Sequence, residues 1–206
     1  MVDKLIAKFI FNLIQLTMID IALTHIRDIL NEHFKNEFSI SENKAILSNL
    51  VKADGSSAQN VDGKIVFFLV CLDEESALKN SLNRSTKQDN VFVHKKPALH
   101  LKMQLLFCAN FDSTVYIEGL RFLSSLIRFF QANSIIGMEH SNNSSLKFNR
   151  LNFELCNLDY AQLSHLWSSI GSKLMPSVLY KVSMLVFDDV PADRIIPSIL
   201  ETESLS

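Results

Sequence analysis

The sequence predicts an α+β domain in which helices pack on a mainly antiparallel sheet of about four or five strands. Two apolar patterns indicate this class. Segments near 18–34, 113–132 and 160–173 repeat apolar residues at helical spacing, whereas other segments alternate apolar and polar residues as half-buried strands do. A chain of 206 residues with 48% hydrophobic content is long enough to bury one substantial core.

The N-terminal segment combines a clear helix with an ambiguous extension. From Met18 onwards, apolar residues between Ile19 and Phe34 recur at helical spacing, with polar residues on the other side. Residues 1–17 are mainly apolar, but polar residues recur too often for a helix that spans a bilayer. Three interpretations stay open: an amphipathic helix on the sheet or a partner, a helix on a membrane surface, or a natural start of translation at Met18.

Four segments have the composition of strands. The apolar run Ile65–Leu72 is predicted to be the centre of the sheet and to be covered on both faces. Short extended pieces are expected between Phe38 and Val51, and the polar region from Glu74 to Lys96 is interpreted as a loop. Alternation predicts three further strands with one buried face, at 99–105, 151–155 and 178–184.

The helix predicted at 113–132 carries more apolar surface than a single core contact requires. Beside the stripe that faces the core, Phe122, Leu126 and Phe129 form a second stripe. Together the stripes cover about half of the helix circumference, whereas one core contact needs roughly 100°. We therefore expect the helix to be sandwiched.

The segment from Leu158 to Leu185 is predicted to form a helix, a stop and a strand. Asp159 is the expected N-cap, and Gly171 and Pro176 lie near the end of the helix. The only tryptophan, Trp167, is surrounded by apolar helix positions. Core packing is therefore its favoured role, and an interface contact is the alternative.

Signals for catalysis and for metal or cofactor binding are weak. No glycine-rich phosphate-binding motif occurs, and the six histidines have no metal-ligand spacing. Cys71, Cys108 and Cys156 are far apart and are interpreted as buried free thiols. Carboxylates cluster at Asp73–Glu75 and Asp188–Asp189, where solvated charge is the favoured interpretation. We expect no enzyme activity, no cofactor and no metal site.

The charge balance bears on the class of partner. The chain has 20 basic and 22 acidic residues and a formal net charge of −2. Proteins that bind a phosphate backbone usually carry a basic excess, which this chain lacks. We therefore expect no nucleic acid among its partners.

Four segments, taken in order, carry a family resemblance: MIDIALTHIRDILNEHF; AILSNLVKADGS; PALHLKMQLLFCANF followed by YIEGLRFLSSLIRFFQANSI; and LNFELCNLDYAQLSHLWSSIGSKLMPSVLYKVSML. Together they resemble the N-terminal domain of cap or tail-terminator proteins. These proteins belong to extracellular contractile injection systems of the antifeeding-prophage and virulence-cassette type. None of the segments is a catalytic signature, and their order and spacing carry the resemblance.

The resemblance implies a bacterial structural protein with a tail-terminator-like fold. Such a subunit would form a hexameric ring that ends tube and sheath polymerisation, so its partners would be copies of itself and the tube and sheath proteins. It would assemble in the bacterial cytoplasm and become part of the particle. The predicted organisation is an extension at 1–17, a cap domain at 18–187 and a tail at 188–206. The candidate interface residues are Phe122, Leu126, Phe129 and Trp167.

Two other function classes stay open. One is a small soluble binding domain, or a hydrolase that uses the region from Asp73 to Glu75 together with His94. The other is a peripheral membrane protein held through residues 3–16, although a membrane partner is not favoured. The latter predicts liposome binding that disappears when translation begins at Met18. For the tail, a docked extended arm and a mobile segment both stay open.

Overall fold

The computed structural model describes the backbone of residues 2–74, 86–88, 91–93, 99–137, 148–186 and 195–197, and the side chains of 19–74, 100–137 and 150–184. Its helices are α1 (Val2–Phe38), α2 (Tyr116–Ala132) and α3 (Tyr160–Ile170). Its strands are β1 (Ala45–Leu47), β2 (Lys64–Glu74), β3 (Thr86–Gln88), β4 (Val91–Val93), β5 (Leu99–Asn110), β6 (Ile135–Gly137), β7 (Phe148–Cys156), β8 (Ser177–Val186) and β9 (Ile195–Pro197).

Six strands form the main sheet in the order β1-β2-β5-β8-β7-β6. Every neighbouring pair is antiparallel except β1 and β2, which are parallel. The three short strands β3, β4 and β9 form a separate antiparallel sheet. The predicted α+β class is confirmed, and the main sheet has six strands instead of four or five.

The prediction that the run Ile65–Leu72 is the centre of the sheet is wrong. β2 lies next to the edge strand β1, and β5 and β8 occupy the middle. The first part of β2 is fully buried, but Cys71 and Leu72 are exposed, so Cys71 is not the buried thiol that the sequence predicted. The reason is that β1 covers only residues 65–67, and a bulge interrupts the ladder between Leu69 and Cys71.

The region from Glu74 to Lys96 contains two strands that the loop interpretation missed. β3 and β4 pair with each other, and β4 also pairs with β9 in the C-terminal tail. Each strand has three residues, which is too short for an alternating pattern to stand out. The rest of this region lies outside the described residues.

One face of the main sheet is covered by α1 and α2. The predicted first helix lies within α1, which continues without a break from Val2 to Phe38. Its described side chains bury Ala22, Leu23, Ile26, Leu30 and Phe34 against the sheet, at intervals of one helical turn. The side chains of residues 2–18 lie outside the described set, so the three interpretations of the N-terminal extension stay predictions.

Asn31 of α1 fixes the position of β1. Its side-chain amide donates to the carbonyl oxygen of Ala45 at 2.9 Å and accepts from the Ala45 amide at 2.8 Å. Asn31 and Ala45 are both buried. The side chain of Asn31 therefore makes the hydrogen bonds that a neighbouring strand would otherwise make with the backbone of Ala45. The polar side chain thus joins the helix layer to the edge of the sheet.

α2 packs beside α1 on the same face of the sheet. Asp112 accepts from the amide of Thr114 at 2.9 Å and caps the 3₁₀ turn that leads into α2. The ring of Phe122 lies 5.1 Å from that of Phe34 in α1, and the ring of Phe130 stacks on Phe153 of β7 at 4.2 Å. The prediction of a sandwiched helix is therefore confirmed, with α1 on one side and the sheet on the other.

The second face of the sheet is covered over part of its area by α3. Asp159 and Gln162 form a reciprocal capping box at its start, and Gly171 adopts the left-handed conformation with φ 72° at its end. Trp167 is buried in a cluster that includes Val66, Leu106 and Leu179 from the sheet. α3 and its loop neighbours therefore make a second, smaller core.

We expect Trp167→Ala to lower the free energy of unfolding by about 3–5 kcal/mol, because it removes the largest side chain of the second core. The matched control is Tyr160→Ala, since Tyr160 lies on the same helix and is 83% exposed. That change should stay within about 0.5 kcal/mol. Urea unfolding followed by circular dichroism measures both, and equal losses would contradict the packing assigned to Trp167.

Asn31→Leu should destabilise the chain by roughly 2–5 kcal/mol, because it leaves the buried amide and carbonyl groups of Ala45 without partners. Asn36→Leu is the control, since Asn36 is an exposed asparagine of the same helix. Hydrogen exchange of the Ala45 amide supplies a second measurement. If this amide stayed protected in Asn31→Leu, another group would have to hold β1.

Candidate interaction surfaces

The residues predicted from the sequence as an interface lie mostly inside the subunit. Phe122 and Leu126 are buried between α1, α2 and the sheet, and Trp167 is buried under α3. Phe129 is half-buried, with its ring 4.6 Å from that of His33 in α1. The apolar surplus of α2 is thus covered by α1 of the same chain. A contact of these four residues with a neighbouring subunit stays a prediction.

A polar cluster that the sequence did not reveal joins α1 to α2. Ser125 donates to Glu37, and its hydroxyl oxygen lies 2.9 Å from His33 Nε2. His33 Nε2 is also 3.0 Å from Glu37 Oε2, and Arg128 forms an ion pair with the same carboxylate. The sequence signal for this cluster is the four-residue spacing of His33 and Glu37. Their partner Ser125 lies about 90 residues further along the chain, so the spacing alone does not predict the cluster.

This cluster does not have the geometry of a nucleophilic triad. In a triad the acid contacts the ring nitrogen opposite the nucleophile, whereas Glu37 and Ser125 contact the same nitrogen of His33. Ser125 is also only 1% exposed, so its hydroxyl is not open to a substrate. The cluster therefore serves to hold the two helices together.

A shallow groove of about 320 Å³ runs between the end of α1 and the start of α2. Its apolar wall is formed by Phe38, Ile117 and Leu120, and Arg121 and Arg128 lie at the groove as cations. Next to it, Val115, Tyr116 and Ile117 expose apolar surface in succession. This is one candidate surface for a protein partner.

A second, more polar depression of about 440 Å³ occupies the part of the second sheet face that lies away from α3. Its charged lining residues are Lys102, Arg150, Lys181 and Glu154, and Lys181 donates to Glu154 at 3.0 Å. Ile135 at its rim is exposed. The depression carries a net positive charge in a chain whose formal net charge is −2.

Only part of the hydrolase alternative lies within the described residues. Asp73 is exposed on β2, where Gln104 donates to its carboxylate at 3.5 Å, while Glu75 and His94 lie outside the described residues. Among the described side chains, no three His, Cys, Asp or Glu residues are close enough together to hold a metal ion. No helix in the described ranges is both long and apolar enough to cross a bilayer.

The three cysteines have different environments. Cys71 is exposed, Cys156 is half-buried, and Cys108 is buried in the second core. Burial raises the pKa of the Cys108 thiol far above its ordinary value. Burial, and then the nearby Glu154 carboxylate, also raise the pKa of Cys156. Only the thiolate is a strong nucleophile, so the reactivity of the three thiols should differ.

A chain that keeps Cys108 as its sole cysteine, made by Cys71→Ser and Cys156→Ser, should react with iodoacetamide roughly 100-fold more slowly than the same chain in concentrated urea. Mass spectrometry over a time course measures this. The control keeps Cys71 as the sole cysteine, through Cys108→Ala and Cys156→Ser, and should react at similar rates in both solvents. Fast labelling of Cys108 in the folded chain would contradict its burial.

Two solved structures resemble this chain at low sequence identity. The first is the cryo-EM structure of the anti-feeding prophage cap, described as the AFP tube terminating cap, with 13% identity over 87% of this chain and a TM-score of 0.48. The second is the PVC sheath/tube terminator of an extracellular contractile injection system in the extended state, with 14% identity over 86% of this chain and a TM-score of 0.45. This chain spans 60% and 64% of those two chains, respectively.

A comparison with curated proteins finds no match. The family model described as the Pvc16 N-terminal domain matches residues 22–201, which include α1 from Ala22 and every strand of both sheets. Because this match covers most of the sequence, the chain belongs to the Pvc16 N-terminal domain family.

Proposed function

We propose that this chain is a cap subunit of a contractile injection particle and that a ring of six copies ends the growth of the tube and the sheath. The observation that carries the proposal is the family match over residues 22–201. The family assignment agrees with the four sequence segments that resemble cap proteins. In this proposal the chain acts by shape and contact, without a catalytic step.

The physical requirements of a terminator fit the features of the fold. A terminator has to present one surface to the last ring of the polymer and a different surface away from it. The helix layer of α1 and α2 and the charged part of the second sheet face are two structurally different surfaces. Contacts between unlike patches of identical subunits close into rings when the rotation between copies is right.

The proposed partners are therefore further copies of the chain and the tube and sheath proteins of the same particle. Assembly would take place in the bacterial cytoplasm, before the particle is released. In this proposal, the domain at 18–187 forms the ring body, with an extension at 1–17 and a tail at 188–206. Phe122, Leu126, Phe129 and Trp167 contribute through the rigid shape of the subunit or at its boundary.

Removing the gene for this chain from a bacterium that makes the particle should broaden the distribution of tube lengths and shift it to longer tubes, because elongation lacks its stop. Negative-stain microscopy of purified particles measures the lengths. Supplying the wild-type chain from a plasmid should restore one narrow distribution. Six-fold class averages of the purified chain would support the proposed ring.

The packing variant Trp167→Ala serves as the control for loss of fold, since it should fail to restore tube length in proportion to its lower abundance. Tyr160→Ala should behave as the wild type in this respect unless Tyr160 meets a partner. Tubes of unchanged length without the chain, in particles that never contain it, would reject the proposed function.

A further inference from the structure

The main sheet is open at both ends in the described part of the chain. Among the described strands, β1 pairs with residues 65–67 of β2, and none lies on the outer side of Val70–Asp73, here called the β2 edge. β6 pairs with residues 150–152 of β7, and the amide of Phe153 donates to Ser134. Glu154–Cys156, here called the β7 edge, is then the open stretch at the other end.

Each open edge carries one leucine that is about half exposed, Leu72 at 43% and Leu155 at 48%. In the sheet register Leu72 lies opposite Met103, and Leu155 lies opposite Tyr180. Met103 and Tyr180 both belong to the core under α1 and α2. Since opposite residues share a face, both leucines lie on the helix-covered face of the sheet.

An open strand edge with exposed apolar side chains favours pairing with another strand. The direction of the strands is suitable for pairing between copies. The steps from β2 to β5, to β8 and to β7 are each antiparallel, so β7 runs opposite to β2. A second copy that keeps the same face and direction therefore offers its β7 edge to the β2 edge in antiparallel orientation.

We infer that the β2 edge of one copy pairs with the β7 edge of the next, so that the main sheet continues from subunit to subunit around the ring. This inference rests on the ring that is part of the proposed function. A two-fold contact between two β2 edges would satisfy only one end of each sheet, whereas head-to-tail pairing satisfies both ends and closes into a ring.

Burial of the two leucines sets the register of this contact. With Leu72 opposite Leu155, antiparallel pairing places Cys71 opposite Cys156 and Asp73 opposite Glu154. Cys71 lies opposite Gln104, and Cys156 lies opposite Leu179 of the second core, so both thiols lie on the second face. Residues directly opposite in an antiparallel pair have Cα atoms about 4.5–5.5 Å apart, which is within the range that a disulfide bridges.

The charged residues in this register predict how a substitution at Asp73 should change the contact. Asp73 lies opposite Lys102 in its own sheet, and Glu154 is paired with Lys181 at 3.0 Å. The row across the junction therefore contains two lysines with two carboxylates between them, and its charges sum to zero. Because like charges directly opposite each other weaken strand pairing, Asp73→Asn should strengthen the contact between copies.

The native thiols provide the test. Diamide, which oxidises two thiols to a disulfide, should crosslink the wild-type chain into a ladder of species that reduction reverses. Cys71→Ser and Cys156→Ser should each abolish the ladder, while Cys108→Ala should leave it intact. An equimolar mixture of Cys71→Ser and Cys156→Ser chains should give a crosslinked dimer and nothing larger, because each chain keeps a thiol at only one of its two edges. Non-reducing gel electrophoresis measures all five results.

Sedimentation supplies an independent measurement without oxidation. Leu72→Asp should lower the association constant between copies at least about tenfold, because it places a charge at a buried contact. Leu174→Asp is the matched control, since Leu174 is 62% exposed but lies in the loop before β8. It should leave association unchanged. Pairing Leu72→Asp with Leu155→Lys in one chain should restore association through opposite charges.

Three results would overturn the inference. The first is a folded wild-type chain that gives no crosslink, and the second is a Cys156→Ser chain that still crosslinks, which indicates pairing between two β2 edges. The third is an equal loss of association in Leu72→Asp and Leu174→Asp. A chain that limits tube length in the cell but gives any of these results rejects the contact and keeps the proposed function.

Discussion

The fold depends on the unequal covering of a six-stranded sheet by three helices. α1 and α2 cover one face with an apolar layer that runs from Ile65 of β2 to Leu151 of β7. α3 covers only part of the other face, around Trp167. The remaining area cannot be apolar in a stable monomer, and it carries charged residues such as Lys102 and Lys181 in cross-strand positions. The charged depression follows from this shortage of helical cover.

The sequence predicts a helix cap or a helix end well, because a single residue determines it. Asp159 caps α3 and Gly171 ends it, because each acts on backbone groups within three or four residues. Strands of three residues depend on partners far away in the sequence. β6, for example, pairs with Arg150–Asn152 of β7, and no pattern within Ile135–Gly137 predicts this pairing. The central position predicted for β2 failed for the same reason, since an apolar run does not specify its neighbours.

The candidate site shows the same limit in side-chain packing. Periodicity predicted a second apolar stripe on α2, but it does not predict which residues cover that stripe. Phe34 and Phe38 of α1 lie with their rings 5.1 and 4.5 Å from that of Phe122 and occupy this face within the subunit. Periodicity also did not reveal the exposure of the leucines at the sheet edges, because that exposure depends on the length of the neighbouring strand. Leu72 belongs to a run that is buried at its start, and only the short length of β1 leaves it open.

A continuous sheet would relate the unequal cover of the subunit to the two sides of a ring. If successive copies keep the same face and the same strand direction, every α1 and α2 pair lies on one side of the sheet, and every charged depression lies on the other. The ring then has one surface built from helices and one from the polar part of the sheet, although all of its subunits are identical. A polymer end requires this difference, because the surface that accepts the last ring must not be repeated on the far side. In this proposal the edge contact would continue the sheet from copy to copy, and the shortage of helical cover would make its two sides unlike.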